Sequence, residues 1–395
     1  MSRFNRRHFL KASGLTILPA LVPAHSLLAN TGTVNQQTAA DTVIRLYGDG
    51  ILYEPSQYIE QLQQVNSATP IEKDRYGVGG VVAALEKKFE AITGKEKAVF
   101  MPSGTMANQF AIAVLSGEKT KVFVQDTSHV YRDEADAAQS VFQKRLMPLA
   151  KGEAFFTADM LQEAVTSLSQ QEVFASGVGA VSIENPVRRA DGRMVPLEEI
   201  KKISAYCRSN NIGLHMDGAR IHMAAASSGV PIKEYASYVD TIYISLYKYL
   251  GAASGAMLCG DKAVMDKMPH LMKIHGGSMY GNWANAAVAL SKLDGIEEKL
   301  KQVAQQAAAI FSLLSGVPGI QIVPIDGGTN IYTLELAKNI DGKKFQESLN
   351  KQFNIRMARP DDKNQVQITV NETLLFRDVS YVADAFKNAA ANSKI

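Results

Sequence analysis

Short apolar, β-branched runs alternate with helix-like patterns from about residue 42 to residue 290. One of the helix-like stretches extends from Leu197 to Cys207. This alternation predicts an α/β domain with a mostly parallel sheet, in which ligands bind at the carboxyl ends of the strands. The runs that we assign to strands are 98–101, 121–124, 179–183, 212–216, 241–245 and 255–259.

The pattern changes after about residue 290. A long helix-like run from Lys299 to Leu314 is followed by three short apolar runs, and a last helix-like segment extends from Val379 to Asn388. This order predicts a smaller α+β domain over residues 291–395, next to a large α/β domain over residues 42–290. The three short runs that we assign to strands are 320–323, 330–336 and 365–370.

The first 29 residues have the features of an export signal. The pair Arg6-Arg7 precedes an apolar stretch from Ala12 to Ala29, which ends in small residues and offers cleavage after Ala24 or Ala29. Paired arginines followed by Phe-Leu-Lys resemble the bacterial twin-arginine signal and predict export to the periplasm. The stretch is short for a membrane span, so we expect no stable membrane insertion after its removal. The open alternative is a disordered basic N-terminus; residues 30–41 are interpreted as a flexible lead-in.

Composition indicates an ordinary globular protein, since 46% of residues are apolar and 21% are charged. The chain of 395 residues has a formal net charge of +3, but the first 29 residues contain four basic residues and no acidic one. Removing them leaves 38 basic against 39 acidic residues. No broad basic surface is therefore expected, and nucleic acid is not a predicted partner. Cys207 and Cys259 cannot form a disulfide framework, although a single bridge between them is left open.

Two segments at predicted strand ends have residue types that fit binding of a phosphate and a flat ring. Ser103, Gly104 and Thr105 form a turn of small residues that opens a helix, where free N–H groups and the helix dipole favour a phosphate. His129 follows the strand 121–124 and offers an imidazole for stacking on a ring. Each feature alone has an ordinary structural explanation, as a helix N-cap and as a surface or core histidine.

Two further strand ends carry an acid and a lysine. Asp217 ends a strand so apolar that its carboxylate requires a buried partner, for which a protonated ring nitrogen is suitable. Lys248 lies between Tyr247 and Tyr249 after the strand 241–245, where burial would lower its pKa. A lowered pKa suits an amine that forms a bond with an aldehyde. His215 and Asp217 are also candidate metal ligands, but no third ligand follows at a typical spacing, so no metal is predicted.

Together the four segments supply a phosphate site, a stacking ring, an acid for a pyridinium and an amine for an aldehyde. These are the groups that bind pyridoxal 5′-phosphate (PLP). The acid keeps the pyridine nitrogen protonated, which makes the ring an electron sink for a carbanion at the substrate Cα. The sequence therefore predicts a PLP site whose substrate is a small-molecule amino acid.

These motifs resemble the threonine aldolase/aromatic amino acid β-eliminating lyase family of fold-type-I PLP enzymes. The similarity extends from about Leu46 to Leu290 and is weaker in the smaller domain. The resemblance implies the PLP-dependent transferase-like fold, and assembly into homodimers or homotetramers in which the loop 276–279 serves a neighbouring subunit. The most specific matches are 101–108, 215–220 and the segment around Lys248, with supporting matches at 75–77, 85–86, 94–96, 184–185 and 276–277.

The resemblance also implies roles for individual residues. Lys248 would hold the cofactor covalently, Asp217 would pair with the pyridine nitrogen, and His129 would stack on the cofactor face. Arg220 would lie near the cofactor and the substrate carboxylate. The other cofactor-binding residues implied are Ser103, Gly104 and Thr105 at the phosphate, and Glu184.

The sequence departs from the family pattern mainly where substrate is recognised. Pro186-Val187 replaces a Thr-His pair, so the histidine associated with the β-hydroxyl group is missing. Gln367 stands where an arginine is expected to bind the α-carboxylate, although Arg356 and Arg359 are near in sequence. Tyr280 stands near the place of a phosphate-binding arginine, and Gly48 replaces a serine. We therefore expect that the chain still binds the cofactor and that its recognition of the substrate is altered.

Three functions compete on these grounds. The first is a PLP-dependent lyase of the aldolase type, which cleaves a β-hydroxy-α-amino acid to glycine and an aldehyde. The second is α,β-elimination to a keto acid and ammonia, which the missing histidine favours. The third is an exported PLP-binding protein without turnover. In either reaction Lys248 is the expected proton shuttle.

Overall fold

The computed structural model describes residues 42–395, apart from the side chain of Ser169. The predicted export signal and lead-in, residues 1–41, lie outside the described residues. Between residues 42 and 395, no helix is both long and apolar enough to cross a membrane. The strands are β1 Ile44–Arg45, β2 Lys97–Met101, β3 Lys121–Gln125, β4 Arg145–Leu149, β5 Val178–Glu184, β6 Gly213–Asp217, β7 Thr241–Ser245, β8 Ala256–Gly260, β9 Ile320–Pro324, β10 Ile331–Leu336, β11 Ile355–Arg356 and β12 Gln365–Thr369.

Fifteen helices of very different length connect and cover these strands within residues 42–395. Two 3₁₀ turns, at Arg188–Ala190 and Glu372–Phe376, complete the described secondary structure. The helices are α1 Pro55–Ala68, α2 Gly80–Thr93, α3 Gly104–Ser116, α4 His129–Arg132, α5 Ala137–Phe142, α6 Ala158–Gln171, α7 Leu197–Ser209, α8 Ile221–Ser228, α9 Ile232–Ser237, α10 Lys262–Met265, α11 Met268–Ile274, α12 Trp283–Leu293, α13 Ile296–Leu314, α14 Gly342–Phe353 and α15 Val379–Asn392.

The central sheet has seven strands in the order β2-β8-β7-β6-β5-β3-β4. All of its neighbouring pairs are parallel except those of β8, which is antiparallel to both β2 and β7. Strands β3, β6 and β7 are buried at almost every position, as expected of strands covered by helices on both faces. The predicted mostly parallel α/β sheet is therefore confirmed.

The C-terminal part has its own sheet and its own core. Strands β9, β10 and β12 form an antiparallel sheet in the order β12-β10-β9, and α13, α14 and α15 pack beside it. Its hydrophobic core is separate from that of the central sheet and includes Phe345, Leu349 and Phe386. Strand β1 pairs in parallel with β11, so residues near position 44 join this C-terminal core.

Some details of the sequence prediction differ from the structure. Strand β4 was not predicted, because it is an edge strand whose exposed Arg145 and Pro148 interrupt the apolar pattern. The predicted domain boundary at residue 290 falls inside α12 and stays a prediction. Cys207 and Cys259 are free, buried thiols, so the bridge left open by the sequence is not formed.

Candidate active site

A cavity of about 260 Å³ lies at the carboxyl ends of the central strands. Four loops or helix starts that follow β2, β3, β6 and β7 contribute to its wall, because the carboxyl ends of parallel strands meet at one edge of the sheet. Of the predicted site residues, all except Gln367 line it. The lining residues are Pro102, Ser103, Gly104, Thr105, His129, Glu134, Glu184, Asp217, Ala219, Arg220, Tyr243, Tyr247, Lys248, Ala253, Ser254 and Gly255.

Asp217 is the most buried of the acidic residues that line this cavity, with only 2% of the residue exposed. It ends β6, in register with Glu184 of β5 and Tyr243 of β7. Its Oδ1 accepts a hydrogen bond from the backbone N–H of Ala219 at 3.1 Å, and its Oδ2 accepts one from Asn108 Nδ2 at 2.9 Å. These donors hold the carboxylate in place without neutralising it, so a cationic ligand group would be a favourable partner.

Asn108 connects Asp217 to a buried histidine. The Oδ1 atom of Asn108 lies 2.9 Å from His215 Nε2, and His215 Nδ1 lies 2.8 Å from Thr241 Oγ1. Burial lowers the pKa of His215 to about 4, so the ring is neutral and can donate from Nε2 to Asn108. Both ring nitrogens are thereby used, which rules out the metal pair of His215 and Asp217 considered from the sequence.

His129 begins α4 and is hydrogen-bonded to Glu134. The two groups are 3.2 Å apart between Nδ1 and Oε1, and this hydrogen bond raises the pKa of His129. The ligand atoms of His129, Glu134 and Asp217 all lie within 4.8 Å of one another. Asn108 Nδ2 also donates to Glu134 Oε1, at 2.8 Å, so one amide joins both carboxylates. Glu134 thus orients the imidazole beside the Asp217 carboxylate and favours its protonated form.

Glu184 is a second buried acid next to this group. Its Oε2 accepts the backbone N–H of His129 at 2.7 Å and its Oε1 accepts that of Arg188 at 2.9 Å. Burial, followed by the nearby Asp217 carboxylate, raises the pKa of Glu184. The two backbone bonds fix both oxygens, so Glu184 sets the position of His129 at the cavity wall.

Lys248 lies in the loop after β7 and is only 8% exposed. Burial is the main cause that lowers its pKa from the ordinary 10.5 to about 8, and the Arg220 guanidinium lowers it further. The Asp217 and Asp49 carboxylates act in the opposite direction. An amine with this pKa is partly neutral at physiological pH, as bond formation with an aldehyde requires.

This pKa predicts the pH dependence of covalent PLP capture by the protein freed of cofactor. About one tenth of an amine with pKa 8 is neutral at pH 7, against roughly one in three thousand for an ordinary lysine. The capture rate should rise about tenfold per pH unit and level off above about pH 8. Time-resolved absorbance between pH 6 and 10 measures it, with free Nα-acetyl-lysine as the control for titration of PLP itself. A rate that still rises in parallel with the control above pH 9 would contradict a lowered pKa.

The start of α3 forms the predicted phosphate site. Ser103 is the N-cap, and its side chain accepts the N–H of Met106 at 3.2 Å. The first N–H groups of a helix have no partner inside the helix, so those of Gly104 and Thr105 are available to an anion at the cavity. A Cβ atom on Gly104 would lie 2.2 Å from the hydroxyl oxygen of Tyr243, so only glycine fits there.

The two residues predicted to recognise substrate have other partners. Arg220 lines the cavity, but its Nε and a terminal nitrogen donate to the two oxygens of Asp49 at 2.6 and 3.0 Å. Burial acts to raise the pKa of Asp49, yet this guanidinium holds it below its ordinary value. The exposed Gln367 donates to Asp191 Oδ1 at 2.6 Å and does not reach the cavity wall. The substrate-binding roles of Arg220 and Gln367 stay predictions.

The residues at this cavity fit PLP. The helix start without a Cβ at Gly104 suits a phosphate, and the buried Lys248 amine suits an aldehyde. The buried Asp217 carboxylate suits a protonated pyridine nitrogen, and the half-exposed His129 ring offers a surface for stacking. Sequence reasoning gave no role to Asp49, Asn108, Glu134 and Tyr243. For Asn108, its place one helical turn after Gly104 was the available signal.

Comparisons with known proteins identify relatives of the chain. The beta-eliminating lyase family matches residues 56–337. A low-specificity L-threonine aldolase of Candida albicans is 32% identical over 277 residues, which cover 69% of this chain and 72% of that protein. The low-specificity L-threonine aldolase 1 of Arabidopsis thaliana is 24% identical, over 81% of this chain and 89% of its own length.

A solved structure extends the comparison to the whole fold. It is that of a candidate aromatic amino acid beta-eliminating lyase/threonine aldolase from Exiguobacterium sp. 255-15. The two folds superpose with a TM-score of 0.74 at 22% identity, over 90% of this chain and 98% of that one. This likeness confirms the fold-type-I architecture predicted from the sequence.

Proposed function

We propose that this chain, which belongs to the beta-eliminating lyase family, cleaves a β-hydroxy-α-amino acid to glycine and an aldehyde. The protein is a PLP-dependent carbon–carbon lyase. The observation that carries the proposal is the single cavity that joins Lys248, Asp217, His129 and the helix start at Gly104. The relatives named low-specificity L-threonine aldolases make threonine the first substrate to test.

The residues divide the work as follows. Lys248 would hold PLP covalently, Asp217 would pair with its ring nitrogen, His129 would cover its face, and residues 103–105 would bind its phosphate. When bound, PLP supplies an electron sink that weakens bonds at the substrate Cα. Asn108 donates a hydrogen bond that orients the Asp217 carboxylate, and Glu134 keeps the His129 ring in position. The Lys248 amine, with a pKa of about 8, can accept a proton at Nζ and return it near neutral pH.

The second candidate, α,β-elimination, is favoured by the residue that replaces the expected histidine. Val187 is fully buried and apolar, three residues after the cavity-lining Glu184. It cannot take a proton from a β-hydroxyl group, so retro-aldol cleavage has to rely on Lys248 or another group. Removal of the Cα proton by Lys248 followed by loss of a β-substituent needs no such base.

A substrate panel tests both reactions. The purified, PLP-loaded protein is assayed with threonine, phenylserine and β-chloroalanine, and the products are quantified. Glycine plus the matching aldehyde from threonine or phenylserine supports the proposal. Ammonia plus a keto acid, with no glycine, would replace it by elimination. A cofactor spectrum that no amino acid changes would indicate a binding protein without turnover.

We propose further that the chain is exported through the twin-arginine pathway and acts in the bacterial periplasm. The support is the arginine pair Arg6-Arg7 before the apolar stretch 12–29. Export of a folded chain suits a protein that takes up its cofactor before it leaves the cytoplasm. Cell fractionation of a wild-type and an Arg6→Lys/Arg7→Lys chain tests this: equal amounts of both in the periplasm would refute it.

A homo-oligomer is the proposed assembly state. Large apolar side chains are exposed around the loop 276–279, and the rings of Tyr76 and Tyr280 pack edge to face at 5.3 Å. Exposed apolar side chains near one loop favour a protein interface, and the resemblance assigns this loop to a neighbouring site. Light scattering that finds a monomer at micromolar concentration would refute the proposal. The exposed apolar residues are Tyr76, Val78, Ile274, Met279, Tyr280 and Trp283.

A further inference from the structure

Two tyrosine side chains line the end of the cavity at which the phosphate site lies. Tyr243, in β7, is 3% exposed, and its ring and hydroxyl pack directly against the Cα atom of Gly104. Tyr247, which immediately precedes Lys248, is 43% exposed, and its side chain lies close to that of Tyr243. Both line the same cavity as Ser103 and Thr105. Two phenol groups therefore lie beside the first turn of α3.

Each cationic group among the described lining residues already has another partner or another assignment. The amine of Lys248 is assigned to the aldehyde of PLP, and it cannot serve both groups. Two nitrogens of the Arg220 guanidinium already donate to Asp49, and His129 is paired with Glu134. The same wall carries three acidic residues, which would repel a phosphate dianion. Neutral donors in the same wall are therefore the available source of additional binding energy.

We propose that the hydroxyl groups of Tyr243 and Tyr247 donate hydrogen bonds to the phosphate of PLP, next to the N-terminus of α3, and so replace a cationic side chain. Neither residue has this role in the sequence-based assignment, which placed the phosphate on residues 103–105 alone. The inference rests on PLP as cofactor and is independent of which lyase reaction follows.

Both hydroxyl groups are protonated donors at neutral pH. Burial raises the pKa of Tyr243 well above its ordinary value, and the nearby Asp217 carboxylate raises it further. Burial also raises the pKa of Tyr247. A hydrogen bond from a neutral donor to an ionised acceptor is stronger than one between neutral groups. The steric requirement for glycine at position 104 follows from the same arrangement, because the Tyr243 hydroxyl occupies the space of a Cβ atom.

The test compares PLP with pyridoxal, which lacks the phosphate. The full chain is freed of cofactor with hydroxylamine, and each compound is titrated by absorbance into the wild type, Tyr243→Phe and Tyr247→Phe. Each variant should bind PLP about tenfold or more weakly and bind pyridoxal as the wild type does. Tyr249→Phe is the matched control, since Tyr249 is also buried and adjacent to Lys248 but does not line the cavity. It should leave the ratio of the two affinities unchanged.

Two results would overturn the proposal. An unchanged ratio of PLP to pyridoxal affinity in both phenylalanine variants would show that neither hydroxyl binds the phosphate. An equal loss for both compounds would show that the tyrosines only shape the cavity. Circular dichroism and Tm check folding; if Tyr243→Phe does not fold, the more exposed Tyr247→Phe decides. Because binding is measured without an amino acid, a failure of the proposed lyase reaction does not affect the outcome.

Discussion

Lys248→Ala is expected to abolish covalent retention of PLP and to lower turnover by at least about 10³-fold, while the protein still folds. Lys248 is the one lysine that lines the cavity among the described residues. Its removal takes away both the bond to the aldehyde and the proton acceptor with a pKa of about 8. Borohydride reduction followed by intact-mass measurement reports the covalent bond, and the visible absorbance of the bound cofactor reports it independently.

Lys292→Ala provides the control for this change. Burial also lowers the pKa of Lys292, and its amine contacts the Tyr53 hydroxyl, but it does not line the cavity. That variant should keep the cofactor label and the activity. If the Lys248→Ala protein is still labelled after reduction, another lysine holds PLP and the assignment of the site is wrong.

Asp217→Asn is expected to lower kcat/KM by about 100-fold or more and to weaken PLP binding. The asparagine has nearly the same shape but only one acceptor oxygen, so the change removes the charge and one of the two hydrogen bonds that Asp217 accepts, from Ala219 and Asn108. Without that charge the ring nitrogen of PLP loses the partner that keeps it protonated, and the electron sink is weaker. Steady-state kinetics with the substrate identified by the panel, together with PLP titration, measure both effects.

The matched control for this charge removal is Asp240→Asn. Asp240 lies just before β7, at the opposite end of the sheet, where its carboxylate accepts the N–H of Leu214 at 2.7 Å. This variant is expected to change stability rather than cofactor binding or kcat. An Asp217→Asn enzyme with wild-type kcat/KM would show that the carboxylate does not tune the cofactor.

The residues that the sequence could identify are those whose role follows from a local pattern. The runs that became β2, β3, β5, β6 and β7 are continuous and apolar because helices cover both faces of the sheet. Polar residues placed at the ends of such strands, such as Asp217 and Lys248, are exceptions to that pattern and therefore visible. The start of α3 is marked by Ser103 and Gly104 for the same local reason.

Contacts between distant parts of the chain were not predictable. Asp49 and Arg220 are 171 positions apart, and Asn108 and Asp217 are 109 apart, yet each pair is hydrogen-bonded. Nothing in either local sequence indicates the partner, because the strand order β2-β8-β7-β6-β5-β3-β4 brings the segments together. Gln367 is a position to which the resemblance assigned a substrate-binding role. In the structure it is exposed on its strand and is hydrogen-bonded to Asp191.

The sequence by itself determined the α/β architecture and indicated the four segments that line one cavity, with the lysine and the acid proposed to hold PLP among them. Hydrophobic periodicity and the residue types at strand ends are local properties of a chain. They can be read without knowing which distant residues each segment contacts. The tertiary structure alone decided how those groups are tuned. Burial lowers the pKa of Lys248, Asn108 orients Asp217, and Tyr243 occupies the space beside Gly104. Each of these effects depends on distance and on exclusion of water, which only the folded chain defines.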